Sequence, residues 1–225
     1  MPSGGQARSR ILSNAVVYAA VAGAAALGHH APSFTFLGPR LQLFGWLAYA
    51  TAVMVCLPGA VMALGLRRPL SAWGLTWGES RRDALWIALG LVGAVGLAWG
   101  VSRSPEVRAV YPQYRFVKDV PWLWIPSTLA FGAYGVSWEM AFRGALILGV
   151  TEERDAAGRR GLIAVLAQTA LYAIAHAGKP SLEIGLSIPA GVFFGLVALR
   201  TRSVLPGFLV HFTISTSINL FCAYG

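Results

Sequence analysis

The sequence predicts an all-α fold: a polytopic membrane bundle of about seven transmembrane helices. Three observations carry this. Of 225 residues, 56% are hydrophobic and only 12% are charged, about half the charged share of a soluble domain. The apolar residues come in long runs, and roughly 20 such residues cross about 30 Å of hydrocarbon. Short clusters of Arg and Lys separate the runs, as in chains that pass a membrane repeatedly. The composition excludes a disordered chain and an ordinary soluble domain. The net charge of +9 therefore reads as a membrane signal, and no nucleic-acid partner is expected. Cys56 and Cys222 lie inside apolar runs, so neither a disulfide framework nor a thiolate zinc site is indicated.

Seven segments carry the pattern: 11–28, 41–66, 84–101, 121–149, 162–177, 184–199 and 204–224. The first also fits a signal peptide, because Arg8 and Arg10 precede its apolar stretch and Ala24, Ala25 and Ala26 come near its end. Its apolar length and the spans behind it favour a membrane helix. The fourth is long and holds Gly132 and Gly135, so a bend is expected. The fifth and sixth are short, and fit tilted, broken or bundle-buried helices. Gly191 and Gly195 on the sixth form a small-xxx-small pair suited to close helix packing. The longest polar connections are 67–83, 102–120 and 150–161. No repeat or linker divides the chain, so residues 1–116 and 117–225 form one integrated membrane domain of two regions.

The cations set an orientation. With the N-terminus inside, Arg8, Arg10, Arg67, Arg68, Arg81, Arg82, Arg154, Arg159, Arg160, Arg200 and Arg202 are inside, eleven in all. Arg40, Arg103, Arg108, Arg115, Lys118 and Lys179 are outside, six in all. This imbalance predicts N-inside and C-outside, with anionic lipid as a partner. Trp99, Trp122 and Trp124 fall near the outer boundary, and Trp73, Trp77 and Trp86 near the inner one, as interfacial belts do.

Charge within a span is costly and usually functional. Glu139 and Arg143 lie in the fourth segment, four residues apart and so on one helix face. His176 is in the fifth and His211 in the seventh, while Glu183 begins the sixth. Each has a plainer reading. Glu139 and Arg143 form a self-neutralising pair, or Arg143 snorkels to the interface. The histidines cap a helix or bond between helices, and Glu183 pairs with Lys179. His29 and His30 read as solvated. At about 1.5 Å per residue, Glu139, His211 and His176 lie roughly 15, 12 and 22 Å from the inner boundary. Tilt brings them into one cavity, where a carboxylate and two imidazoles suit water activation. The same three groups are ordinary ligands for a divalent metal such as zinc, although no H-E-x-x-H motif is present.

Ser-Trp-Glu139-Met-Ala-Phe-Arg143-Gly144 resembles the E-E-x-x-x-R motif of the CAAX protease and bacteriocin-processing family of intramembrane proteases, also called Abi. Tyr172-x-x-x-His176 resembles the family's F-x-x-x-H. The stretch from Gly191 to His211, through Leu199-Arg-Thr-Arg-Ser203 and Pro206, resembles its third region, which ends in H-x-x-x-N/D. The resemblance spans about 120–224, in the family's order. Trp138 stands where the motif's first Glu, usually assigned as the water-activating base, would be. Ser215 stands at the Asn/Asp position, with Asn219 one turn further on.

The resemblance implies an intramembrane endopeptidase with a catalytic core in the C-terminal half, in a bacterial cytoplasmic membrane. It implies cleavage near the membrane in a lipidated, leader-bearing or anchored protein. On this reading Glu139 activates water and Arg143 is its counter-ion. His176 and His211 position the water, directly or through a metal held with Glu139. Ser215 or Asn219 donates to the oxyanion, and Glu183 is a ligand, orienting partner or replacement base. Two alternatives stay open: an inactive membrane adaptor or immunity protein of the same fold, and a small transporter relaying protons.

Overall fold

The computed structural model describes residues 4–65, 67, 69, 73–77, 81–152 and 158–225. Arg68 and Arg154 lie outside them, as do the side chains of Arg8, Arg10, Arg81, Arg82 and Trp86. Among the described residues the regular structure is helical. The α-helices are α1 (Gly4–His29), α2 (Gln42–Ala60), α3 (Arg81–Val101), α4 (Pro105–Val110), α5 (Trp124–Glu139), α6 (Arg159–Ile174), α7 (Ser181–Thr201) and α8 (Leu205–Tyr224).

Each of the seven expected segments is a helix, but the expectation of seven spans is met only in part. Among the described residues, four stretches are long and apolar enough to cross a membrane: Ile11–His29, Gln42–Gly65, Ser181–Thr201 and Leu205–Tyr224. The apolar part of α3 is shorter, Ile87–Val101. Helix α6 has 16 residues. In the fourth segment, buried Glu139 and Arg143 interrupt the apolar run. Even so, Leu89 and Val92 on α3, Leu129 on α5 and Leu166 on α6 are exposed, and only lipid covers such faces at low cost. The protein is a helical membrane protein.

Two helices widen into π-helical turns. Pro58 lies inside α2, removes a backbone donor, and is followed by the π turn Val61–Gly65. Helix α5 continues as a nine-residue π segment, Met140–Leu148, closed by Gly149 N–H donating to Gly144 O at 2.7 Å. Gly144 is required there. A Cβ at Gly144 would lie 2.9 Å from the Trp73 carbonyl oxygen, so only glycine lets the buried Trp73 backbone of the α2–α3 loop reach the helix. The same loop is pinned to the α7–α8 turn: Val204 N–H donates to Gly74 O at 2.9 Å, and Ser203 Oγ donates to Thr76 O.

Helix α1 packs through Val17, Val21 and Ala24 on Met54, Phe142, Leu146 and Tyr172. Tyr18 Oη donates to the carbonyls of Leu146 and Ala164, each at 3.3 Å. Gly191 and Gly195 on α7 do sit at a close approach. A Cβ at Gly191 would lie 3.0 Å from Thr169, and one at Gly195 3.0 Å from Val165.

The stretch 102–120, read above as a polar connection, is a packed cap. It holds α4 and the 3₁₀ turn Arg115–Lys118, and buries Val107, Tyr111, Tyr114 and Val117. Its apolar positions follow neither a helical nor a strand period, so no element stands out in the sequence.

Candidate active site

The π segment begins directly after Glu139, and such widenings of an α-helix are frequent at functional sites. Trp138 and Glu139 are consecutive on the helix yet face different surroundings. Glu139 is fully buried. Its Oε1 accepts from Arg143 Nη1 at 3.3 Å and from His211 Nδ1 at 2.8 Å. Its Oε2 and the Nε and Nη2 of Arg143 have no hydrogen-bond partner among the described residues. The Arg143 guanidinium instead lies over Tyr172, 4.2 Å from the ring centroid, and 5.2 Å from that of Phe194. Aromatic faces offset part of the cost of burying a cation. Gly207 on α8 leaves room for the carboxylate, since a Cβ there would be 3.4 Å from Glu139 Oε2.

Trp138 instead faces a cavity of about 170 Å³. The walls include Trp138, His176, Glu183, His211, Ser215 and Asn219, and the lining does not include Glu139 or Arg143. Of the seven candidate site residues read from the sequence, the cavity gathers five, His176, Glu183, His211, Ser215 and Asn219, while Glu139 and Arg143 stand behind His211. His176 lies beyond the end of α6, in the turn that Gly178 completes at φ +86°. Its ring is 6.0 Å from that of Trp138, nearly perpendicular. His211 stacks on Phe194 at 5.5 Å.

Both histidines have a fixed tautomer. A carbonyl oxygen only accepts, so the His176 Nδ1 contact with Tyr172 O at 2.8 Å makes Nδ1 a donor. Neutral His176 then carries its lone pair on Nε2. Against the Glu139 carboxylate, His211 Nδ1 is likewise the donor.

Glu183 is held from two sides. Its Oε2 accepts from Tyr111 Oη at 3.0 Å, and its Oε1 lies 3.4 Å from Lys179 Nζ. The expected pairing with Lys179 is thus present, and Tyr111 is the partner missed in the sequence. Burial, and secondarily the neighbouring Glu183 carboxylate, hold the Tyr111 phenol well above its ordinary pKa. It therefore stays a donor at neutral pH. Asn219 is oriented by the cap: its Oδ1 accepts from Gln113 N–H and its Nδ2 donates to Ser215 O, both at 2.8 Å. One N–H of that amide remains for a ligand. His29, read as solvated, is exposed yet also lines the cavity mouth.

The expected metal set of Glu139, His176 and His211 does not fit this arrangement. Among the described residues no three His, Cys, Asp or Glu side chains form a group able to hold a metal. Glu139 Oε1 is shared by two donors, and the His211 nitrogen nearest it is itself a donor.

A family model described as "Type II CAAX prenyl endopeptidase Rce1-like" matches residues 113–217, just under half of the chain. No curated protein and no solved structure gives a significant match. The matched stretch starts in the cap, at Gln113, and contains every cavity group named above except Tyr111, His29 and Asn219.

Proposed function

We propose that the protein is an intramembrane endopeptidase, on the premise that residues 113–217 match the Rce1-like model of type II CAAX prenyl endopeptidases. Its substrate is a lipidated, leader-bearing or membrane-anchored protein, cut at a peptide bond near the membrane. One observation carries the reading: two imidazoles of fixed tautomer and a carboxylate line one cavity inside an apolar bundle.

His176 Nε2 and the Glu183 carboxylate hold the water. As its oxygen attacks the scissile carbonyl carbon, its proton passes to one of these two groups. The tetrahedral oxyanion is met by the remaining Asn219 N–H, with Ser215 beside it, and by His211 Nε2–H when that ring is protonated on both nitrogens. The C–N bond then breaks, and the leaving amine takes the proton back. Positioned general bases contribute about 10²–10⁴-fold, and one oxyanion donor about 10²–10³-fold. Glu139 and Arg143 act through His211: the carboxylate orients its ring, and the guanidinium balances the charge. In this scheme Glu183, not Glu139, stands in for the carboxylate that the family carries where this chain has Trp138. No step runs through a metal.

The test compares new protein termini in membranes of a deletion strain carrying the wild-type chain, His176→Ala or His211→Ala. Termini made only by the wild type support hydrolysis. An unchanged set with both variants contradicts it. Trp138 favours a second reading, a non-catalytic relative acting as an adaptor, for which both variants would keep the cellular role of the wild type.

A further inference from the structure

We infer that the chamber opens on the extracytoplasmic face, so that its substrate is the membrane-proximal segment of an exported polypeptide. This rests on the hydrolase reading and adds the side from which substrate arrives. The cavity lies at one end of the bundle. Its lining comes from the last residue of α1 (His29), from Tyr111 and Gln113 after α3, and from Lys179 and Glu183 at the start of α7. Asn219 adds the far part of α8. The opposite end carries the α2–α3, α5–α6 and α7–α8 connections.

By sequence, the segments assigned to that side with the N-terminus carry eleven Arg residues, of which Arg68 and Arg154 lie outside the described residues, and the segments on the chamber side carry six Arg and Lys residues. Such an imbalance places the richer end in the cytoplasm. Four of the six lie in 102–120, and the fold gives three of them a structural role. Arg103 lies over the Trp99 ring at 4.5 Å. Arg108 Nε donates to Ser102 O at 2.7 Å, and Arg115 donates to Ala109 O. At the mouth, Lys179 pairs with Glu183. These cations build the cap and the chamber wall, so they have a reason to be there that is independent of orientation.

The experiment places single cysteines in a Cys56→Ser, Cys222→Ser chain and labels spheroplasts with a membrane-impermeant maleimide. Lys179→Cys, at the mouth, is expected to react before lysis. Thr76→Cys, exposed in the loop before α3, is expected to react only after lysis. The reverse pattern overturns the inference. Should Lys179→Cys fail to fold, alkaline phosphatase fused after Gly225 reads the same end: an active fusion supports the inference and an inactive one overturns it. The termini lost in a His176→Ala strain then test the substrate. Cuts in exported segments support the inference. Cuts in cytoplasmic segments overturn it and leave the hydrolase reading standing. No lost termini at all overturns both.

Discussion

Trp138 and Glu139 show how one helical step, about 100° of rotation, divides two jobs. Trp138 faces the chamber, and Glu139 faces Arg143 and His211. If Glu183 supplies the chamber carboxylate, Glu183→Gln lowers cleavage by about 10²–10⁴-fold. Adding Trp138→Glu to that variant places a carboxylate beside His176 and restores part of the rate. Cleavage assays on the wild type and both variants check this; an unaffected Glu183→Gln contradicts the assignment. Glu139→Ala strands a buried guanidinium and costs about 3–5 kcal/mol of stability. The double variant Glu139→Leu, Arg143→Met removes both charges and costs less, as thermal unfolding in detergent will show. The 139/143 pair was legible in the sequence, because four residues on a helix fix its geometry. The Tyr111–Glu183 bond was not, because 72 residues separate its partners and Tyr111 sits in a stretch without periodicity.

At the scale of the element, the α6–α7 contact depends on two missing methyl groups. Gly191→Ala and Gly195→Ala place a Cβ 3.0 Å from Thr169 and Val165 respectively. Each is expected to cost about 1–3 kcal/mol by overpacking. Gly96 on α3 has nothing within 4 Å of a built Cβ, so Gly96→Ala is expected to be neutral or stabilising by up to about 1 kcal/mol. Unfolding midpoints of the three variants in one detergent check the contrast, and equal midpoints would contradict it. The glycine spacing made this contact legible. The π segment was not: it sits where Trp73, from a distant loop, packs against Gly144, and no local pattern reports that contact. The long fourth segment and its glycines suggested only a bend.

For the whole molecule, hydropathy revealed a helical membrane protein because lipid-facing and core-facing residues are alike apolar. For the same reason it could not say which helices are lipid-covered along their full length. The chain is expected to stay in the membrane pellet through an alkaline carbonate wash and to require detergent for release; release by carbonate would contradict the fold reading. A cavity was expected from the in-span titratable groups, but its lining emerged only from the fold, which brings α5, the turn after α6, the start of α7 and the far part of α8 to one end under the cap. Its chemistry is tested most directly with purified protein in liposomes, mixed with membranes from the deletion strain, by quantifying new protein termini. The account predicts that the wild-type chain alone produces the termini and that His176→Ala does not. Equal yields from the two, or none from the wild type, would contradict it.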